Sequence, residues 1–153
     1  MTDREIIKSI QEGERDSGYQ GEICTELQGN PRTIVILDDD PTGTQTVHNV
    51  PVITQWSEEV IESEILSSPV FFILTNSRSL QAEEADKLGH LIGRCLQKAA
   101  VKHNKNLVVI SRSDSTLRGH YPNEVNALAA GLGWNNAKHL LAPAFFEGGR
   151  YTF

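Results

Sequence analysis

Five short apolar runs, separated by stretches of helical periodicity, are the feature that most constrains how this chain folds. Near-continuous apolar runs of four or five residues are typical of strands that are buried on both faces, as in a parallel sheet. The first four runs are rich in Val, Ile or Phe. The five runs occupy residues 34–37, 50–53, 70–74, 107–110 and 139–142.

The stretches between the runs carry helix signals. Ser57 is a suitable N-cap for a helix over 58–66, whose first turn holds two glutamates. Pro122 suits the first turn of another helix. Strands that alternate with helices predict an α/β fold with an open, mostly parallel sheet flanked by helices. Residues 81–102 add an apolar stripe at helical spacing, formed by Ala85, Leu88, Leu91, Ile92, Cys95, Leu96 and Ala99.

The first 30 residues differ from the rest of the chain. They hold seven acidic and three basic residues and lack strand-like apolar runs. Thr2 and Glu5 have the spacing of a capping box, which predicts a short helix as far as Ile10. The glycines that follow, up to Pro31, predict a loop or linker. We therefore divide the 153-residue chain into a lead-in helix and linker at 1–30 and an α/β domain at 31–153.

Charge and composition exclude several classes of protein. The formal net charge of −6 gives no basic footprint for nucleic acid. No run is long and apolar enough to span a membrane, and the N-terminus lacks the apolar core of a signal peptide. Two cysteines, Cys24 and Cys95, form neither a disulfide framework nor a CxxC pair. These features predict a cytoplasmic protein with reduced thiols that binds neither nucleic acid nor membrane.

Polar, turn-forming clusters follow four of the apolar runs directly. In a parallel sheet the carboxyl ends of all strands lie at one edge, and ligands bind in the crevice beyond it. Clusters that are distant in sequence should therefore converge into one site. They read DDDPTGT at 38–44, TNSRS at 75–79, SRSDSTLRG at 111–119 and PAFFEGGR at 143–150.

The triple aspartate at 38–40 leaves two interpretations open. Asp39 and Asp40 can cap the turn at Pro41, which is a common role of aspartate. Alternatively, at least one carboxylate accepts a hydrogen bond from a ligand hydroxyl, takes its proton, or holds Mg²⁺. Burial of any of the three would raise its pKa. Gly43 would let the backbone approach a ligand closely, beside Thr42.

Arg78, Arg112 and Arg118 follow strand ends, and a guanidinium matches a carboxylate or phosphate with two hydrogen bonds. The alternative is that these arginines pair with Asp114 or the aspartate triplet inside the fold. Period-two alternation places Arg112 and Asp114 on the same side, so Asp114 could hold the Arg112 guanidinium. The clusters predict an anionic, hydroxyl-bearing small molecule, with neutral hydrogen-bonding groups from Asn76, Ser77, Ser113, Ser115 and Thr116.

Metal and nucleotide signatures are missing. The five histidines show neither HxH nor HExxH spacing, and we predict no metal site of this chain's own. There is no GxxxxGK[ST] loop. The pair Gly131 and Gly133 lacks the third glycine of a dinucleotide turn and follows a predicted helix instead of a strand.

Two stretches resemble haloacid-dehalogenase-like phosphatases. The sequence IVILDDDPT at 34–42 fits that superfamily's strand followed by DxDxT, and FFILTN at 71–76 looks like its second motif. The later acidic pair that completes its magnesium site is absent. This resemblance predicts hydrolysis of a generic aryl phosphate that is lost in Asp38→Asn.

A longer resemblance covers about residues 32–152. The segments DDDPTGTQTVH at 38–48, TNSRSL at 75–80, SRSDSTLRGHYP at 111–122 and APAFFEGGRYT at 142–152 look like the N-terminal, sugar-binding domain of the four-carbon acid sugar kinase family. Members of this family resemble one another as two-domain enzymes, in which the second domain binds ATP. They phosphorylate threonate, erythronate or 3-oxo-tetronate. By this resemblance, residues 31–153 are the front part of a sugar-acid-binding α/β domain, and the nucleotide-binding domain is absent.

The resemblance implies a division of roles at the strand ends. Arg112 and Arg118, with Arg78, would hold the ligand carboxylate, and Asp38 or Asp39 would engage the acceptor hydroxyl, one of them as general base. Positioning and charge stabilisation dominate phosphoryl transfer, so we expect no turnover without the ATP-binding domain. ATP and Mg²⁺ would be the cofactors of the full-length enzyme, and we expect this chain to bind neither of them tightly. The implied substrate-binding set is Asp38, Asp39, Thr42, Gly43, Asn76, Arg78, Arg112, Asp114, Ser115, Thr116 and Arg118.

Two further functions stay open. The chain could be a non-catalytic module that binds a sugar acid, or a fragment that associates with itself or with a nucleotide domain on another polypeptide. An open sheet edge and exposed apolar surface would promote such association.

Overall fold

A computed structural model describes residues 19–44, 47–114, 118–142 and 149. The chain divides into two compact units between Pro31 and Arg32. In the first unit, Tyr19–Gly29 form helix α1, which has no buried residue. The predicted loop is therefore wrong over Tyr19–Gly29, because glutamate, glutamine and leucine favour helix enough to outweigh the cost of about 1 kcal/mol at Gly21. The short helix predicted over residues 2–10 lies outside the described residues.

The second unit is built on a four-stranded, all-parallel sheet. Its strands are β1 (Arg32–Asp38), β2 (Val52–Ile53), β3 (Val70–Leu74) and β4 (Asn106–Arg112). They lie in the order β2-β3-β1-β4. This arrangement confirms the predicted α/β fold with an open parallel sheet.

Three helices of this unit connect the strands or follow them: α2 (Glu58–Ser67), α3 (Ala82–Lys102) and α4 (Asn123–Gly131). As predicted, Ser57 caps α2, and its hydroxyl accepts a hydrogen bond from the Val60 amide at 3.3 Å. A capping box between Gln81 and Glu84 begins α3, and Pro122 directly precedes α4. No helix in the described part of the chain has the length and apolar character needed to cross a membrane.

The core lies between one face of the sheet and these three helices. Alternate residues of β1 and β3 point into it, while Ile36 and Phe72 on the opposite face are also nearly buried. This confirms the predicted burial of β1 and β3 on both faces. The largest fully buried core side chains are Val35, Ile61, Ile65, Phe71, Ile73, Ile92, Leu96 and Leu132.

The structure corrects several details. Strand β2 covers only two residues of the predicted run at 50–53. No residue of β4 is fully buried, since β4 is an edge strand, and Ile110 is 45% exposed. Leu91 is also half-exposed, so it lies off the buried stripe of α3.

The run at 139–142 is not a strand. Leu140 and Leu141 are 99% and 61% exposed, and no described strand pairs with them. An apolar run becomes a strand only where a neighbouring strand accepts and supplies its backbone hydrogen bonds.

Glycines allow α3 and α4 to approach each other closely. A Cβ at Gly93 would lie 2.6 Å from the carbonyl oxygen of Leu128, and one at Gly131 would collide with the carbonyl oxygen of His90. Both obstacles are backbone atoms, which cannot rotate away as a flexible side chain can.

We therefore expect Gly93→Ala to lower the free energy of unfolding by about 2 kcal/mol, in the range typical of overpacking. Urea unfolding measures this. Gly21→Ala is the matched control, because it lies in exposed helix α1 with nothing within 4 Å of its added Cβ. Equal effects of the two substitutions would contradict the close-packing argument.

Candidate functional site

The carboxyl ends of β1, β3 and β4 bring the polar clusters together. The register places Asp38 at the end of β1 beside Leu74 of β3 on one side and Arg112 of β4 on the other. The backbone continues this contact, since the Asp39 amide donates to the Arg112 carbonyl at 3.3 Å and the Thr75 amide donates to the Asp38 carbonyl at 2.9 Å. We call this region the strand-end cluster; its charged members are Asp38, Asp39, Asp40, Arg78, Arg112, Asp114 and Arg118.

Asp38 forms the centre of the strand-end cluster and is fully buried. Its two carboxylate oxygens accept hydrogen bonds from Arg112 Nη1 at 3.1 and 3.0 Å, and Oδ1 also accepts from the Asp40 amide at 3.2 Å. Burial raises the pKa of Asp38 above its usual value, although the Asp40 amide and Arg112 act in the opposite direction.

Gly43 is required by this ion pair. A Cβ at position 43 would collide with Arg112 Nη1 and with both carboxylate oxygens of Asp38. The sequence predicted that Gly43 permits a close approach to a ligand. In the structure the atoms that approach it closely belong to the Asp38–Arg112 pair.

Arg78 binds two of the three adjacent aspartates. Its Nε and Nη2 donate to the two carboxylate oxygens of Asp39 at 3.2 and 2.7 Å, and its Nη1 donates to Asp40 Oδ2 at 2.7 Å. The Ser113 hydroxyl donates to Asp39 Oδ2 at 3.1 Å. Asp39 is only 4% exposed, so Arg78 balances a charge that is almost removed from water.

Asp40 has the turn-capping role that the sequence left open for it. Its Oδ1 accepts hydrogen bonds from the Thr42 amide at 2.9 Å and from the Thr42 hydroxyl at 2.8 Å. These two bonds lower the pKa of Asp40. Asp39 faces Arg78 and Ser113 instead, so the two carboxylates have different roles.

Arg118 pairs with Asp114, and Arg112 pairs with Asp38. The prediction that Asp114 holds the Arg112 guanidinium is therefore wrong, because the strand register brings Asp38 directly beside Arg112. All three arginines contact aspartates, as the alternative interpretation proposed. Their exposure still differs: the side chain of Arg78 is 24% exposed, that of Arg112 47% and that of Arg118 66%.

The neutral candidates take different positions around the strand-end cluster. Thr42 and Asn76 are exposed, and Asn76 adopts a left-handed backbone conformation with φ 50° before the short 3-10 turn Ser77–Ser79. Ser115 and Thr116 lie outside the described residues, as does most of the predicted cluster at 143–150. Among the described residues, no group of three or more His, Cys, Asp or Glu side chains is placed to hold a metal ion.

Sequence reasoning missed Glu124, which lies behind the strand-end cluster. Glu124 is in the first turn of α4, is 5% exposed, and accepts a hydrogen bond from the fully buried Ser77 hydroxyl at 2.6 Å. Burial, Asp39 and Asp86 raise its pKa, while Ser77 and His120 act against them. Its position in a first helical turn suggested only a favourable charge at the helix N-terminus, which an exposed glutamate would satisfy equally well.

The matching family model covers residues 34–153, about four-fifths of the chain, and is described as a sugar-binding N-terminal domain. This chain belongs to that family. The match includes all of β2, β3 and β4 and every charged residue of the strand-end cluster. No curated protein and no solved structure matches the chain significantly.

Membership of the sugar-binding N-terminal domain family confirms the longer of the two resemblances at the level of the sugar-binding domain. It implies that the domain binds a sugar-type ligand. The phosphatase resemblance receives no such support from the comparisons.

The raised pKa of Glu124 predicts a pH dependence of stability. The folded chain holds this proton more tightly than the unfolded chain, so the carboxyl stabilises the fold below its unfolded pKa of about 4.5. That contribution is lost as the pH rises through the folded pKa. The glutamine of Glu124→Gln cannot titrate. We therefore expect the difference in the free energy of unfolding, variant minus wild type, to increase from about pH 4 to about pH 7. Parallel stability curves for the two proteins would contradict this prediction.

Proposed function

We propose that this chain binds a four-carbon sugar acid (threonate, erythronate or 3-oxo-tetronate) and presents it for phosphorylation by ATP. The family membership supports a sugar-type ligand. The finer assignment rests on the strand-end cluster, which combines carboxylates and guanidiniums at one edge of the sheet. A sugar acid has the complementary groups, since its hydroxyls donate to carboxylates and its carboxylate accepts from guanidiniums.

One observation carries the proposal: Arg112 is bound to Asp38 through Nη1 alone, and its side chain is half-exposed. The remaining edge of its guanidinium has no acceptor among the described residues, so it can receive a ligand carboxylate. Arg118, six residues further along the chain, is also exposed, and we assign it a second contact with the same carboxylate. Arg78 is already bound to Asp39 and Asp40 at all three nitrogens, and we assign it a supporting role.

Asp38 and Asp39 are the candidates to engage the acceptor hydroxyl. Asp38 has the more suitable chemistry for a general base, because its raised pKa increases its affinity for a proton. Asp38 is fully buried and already accepts from Arg112 Nη1 and the Asp40 amide, so the ligand hydroxyl would have to displace one of these donors to reach it.

ATP and Mg²⁺ are part of the proposed reaction but not of this binding site. We assign to this chain the sugar acid alone, with its carboxylate and its acceptor hydroxyl fixed in position.

Isothermal titration of the chain with threonate and with erythronate tests the proposal. Threitol, which has the same carbon chain but no carboxylate, is the control ligand. We expect at least one acid to bind and threitol to bind at least tenfold more weakly, or about 1.4 kcal/mol. The proposal fails if neither acid binds or if threitol binds equally well. Turnover with ATP and Mg²⁺ would contradict the restriction of this chain to a binding role.

Association with another chain is a second candidate function. It is favoured by the outer edge of β4, which pairs with no further strand among the described residues and where Ile110 is exposed, and by the exposed side chains of Leu140 and Leu141. Edges and apolar patches of this kind promote pairing between chains. We expect the molar mass from light scattering to increase with concentration, and Leu140→Asp to suppress that increase. A constant monomer mass at high concentration would contradict this candidate.

A further inference from the structure

We infer that Glu124 is a positioning residue of the sugar-acid site: through Ser77 it fixes the turn that carries Arg78, and through Arg78 it orients Asp39 and Asp40. Glu124 itself does not belong to the charged strand-end cluster. The inference rests on the proposed function only where ligand binding is measured. The arrangement of Arg78 can also be measured without ligand.

The first step is the hydrogen bond between helix α4 and the 3-10 turn. Glu124 Oε1 accepts from the Ser77 hydroxyl at 2.6 Å, and both residues are buried, at 5% and 0% exposure. His120 Nε2 lies 3.1 Å from the Ser77 carbonyl oxygen, so α4 and the segment before it each contact Ser77. A buried hydroxyl and a buried carboxyl without partners would each be costly, which makes this a strong constraint on the turn.

The second step connects Ser77 to strand β1. The Ser77 amide donates to the Thr75 hydroxyl oxygen at 3.4 Å, and the Thr75 hydroxyl donates to the Asp38 carbonyl oxygen at 3.0 Å. Ser77 is thus held between α4 on one side and the end of β1 on the other. Its position fixes where the next residue, Arg78, begins.

The third step is the contact that Arg78 makes. Three guanidinium nitrogens bind Asp39 and Asp40 at 2.7–3.2 Å. Such a planar, three-point contact is sensitive to small shifts of the backbone that carries it. If Ser77 loses its partner, Arg78 should lose this geometry, and Asp39 should lose the orientation that places it beside Ser113.

The structure also explains why a side chain with an oxygen acceptor is needed at position 124. An apolar side chain would fill the same space between α3 and α4, where a Cβ on Gly89 would lie 3.7 Å from Glu124 Cγ. Only a side chain with an oxygen acceptor can accept the hydrogen bond that the Ser77 hydroxyl donates. Glutamine retains such an acceptor, whereas methionine matches the length of the side chain without it.

The test compares Glu124→Gln, Glu124→Met, Ser77→Ala and the Glu124→Met/Ser77→Ala double variant. Ile65→Ala is the control for loss of stability alone, because Ile65 is fully buried in α2 within the apolar core. Two quantities are measured: the Kd for threonate, and the protection from solvent exchange of the Arg78 Nε–H resonance in side-chain NMR spectra without ligand.

We expect Glu124→Met and Ser77→Ala each to weaken threonate binding by at least about fivefold, or ~1 kcal/mol. Both variants should also lose protection of the Arg78 Nε–H. The double variant should be no worse than the poorer single variant, since both substitutions break one connection. Glu124→Gln should retain the Kd within about twofold, or ~0.4 kcal/mol. Ile65→Ala should lose stability without changing either readout.

The inference is wrong if Arg78 Nε–H stays protected in Glu124→Met and Ser77→Ala, or if Glu124→Gln is as impaired as Glu124→Met. An equal loss in Ile65→Ala would also overturn it, because the effect would then reflect stability in general. If the wild-type chain binds neither threonate nor erythronate, the proposed function fails, and the Arg78 resonance still decides the role of Glu124.

Discussion

Replacing Arg78 by methionine is expected to lower the free energy of unfolding by about 3 kcal/mol, the lower end of the cost of breaking a buried ion pair. Asp39 is 4% exposed. Of the side-chain donors that contact it in the described structure, only the Ser113 hydroxyl would remain. Methionine preserves most of the length and apolar contact of the arginine. The loss therefore reports the uncompensated charge of Asp39. Urea unfolding near neutral pH measures it.

Arg94→Met is the control for this prediction, because Arg94 is exposed on α3. Its effect should lie within about 0.5 kcal/mol of zero, as for most surface substitutions. A second substitution, Asp39→Asn, should recover part of the stability lost in Arg78→Met, since it removes the unpaired charge. Additive losses in that double variant would show that Arg78 and Asp39 are not energetically coupled.

Local patterns in the sequence were sufficient to predict most of the framework. The runs at 34–37, 70–74 and 107–110 are strands because their residue types suit burial in a sheet and polar turns end them. Ser57 caps its helix because capping depends on contacts within one turn. Features of this kind need no knowledge of the rest of the fold.

Features that depend on neighbouring elements could not be predicted in the same way. The run at 139–142 has the composition of a strand, but in the described structure it has no strand beside it, and Leu140 is fully exposed. Glycine spacing suggested a loop before Pro31, whereas the helix-favouring residues around Gly21 form α1. The same pattern can be strand, helix or coil according to what lies next to it.

The sequence predicted which residues gather at the strand ends but not which of them pair. Period-two alternation suggested that Asp114 holds Arg112. The actual partner, Asp38, is opposite Arg112 because β1 and β4 are neighbours in the sheet with that register. Strand order is a property of the whole fold. The burial of Glu124 was equally inaccessible, since it depends on how closely α3 and α4 pack at their glycines.

Arg112→Lys is expected to weaken the binding of a four-carbon sugar acid by at least tenfold, or about 1.4 kcal/mol. The guanidinium of Arg112 can bind two anions at different edges. Its Nη1 binds Asp38, and the opposite edge would receive the ligand carboxylate. Lysine retains one positive charge but lacks the planar fork. It can neutralise the buried Asp38 or contact the ligand, but it cannot do both with the same geometry.

This reasoning also separates ligand binding from stability. If lysine still neutralises Asp38, the melting temperature of Arg112→Lys should stay within a few degrees of wild type while the Kd for threonate rises. Arg32→Lys is the matched control, because Arg32 is an exposed arginine at the opposite end of β1. It should change neither the Kd nor the melting temperature. An unchanged Kd together with a melting temperature several degrees lower would make Arg112 a partner of Asp38 alone. The carboxylate of the sugar acid would then have to bind elsewhere on the domain.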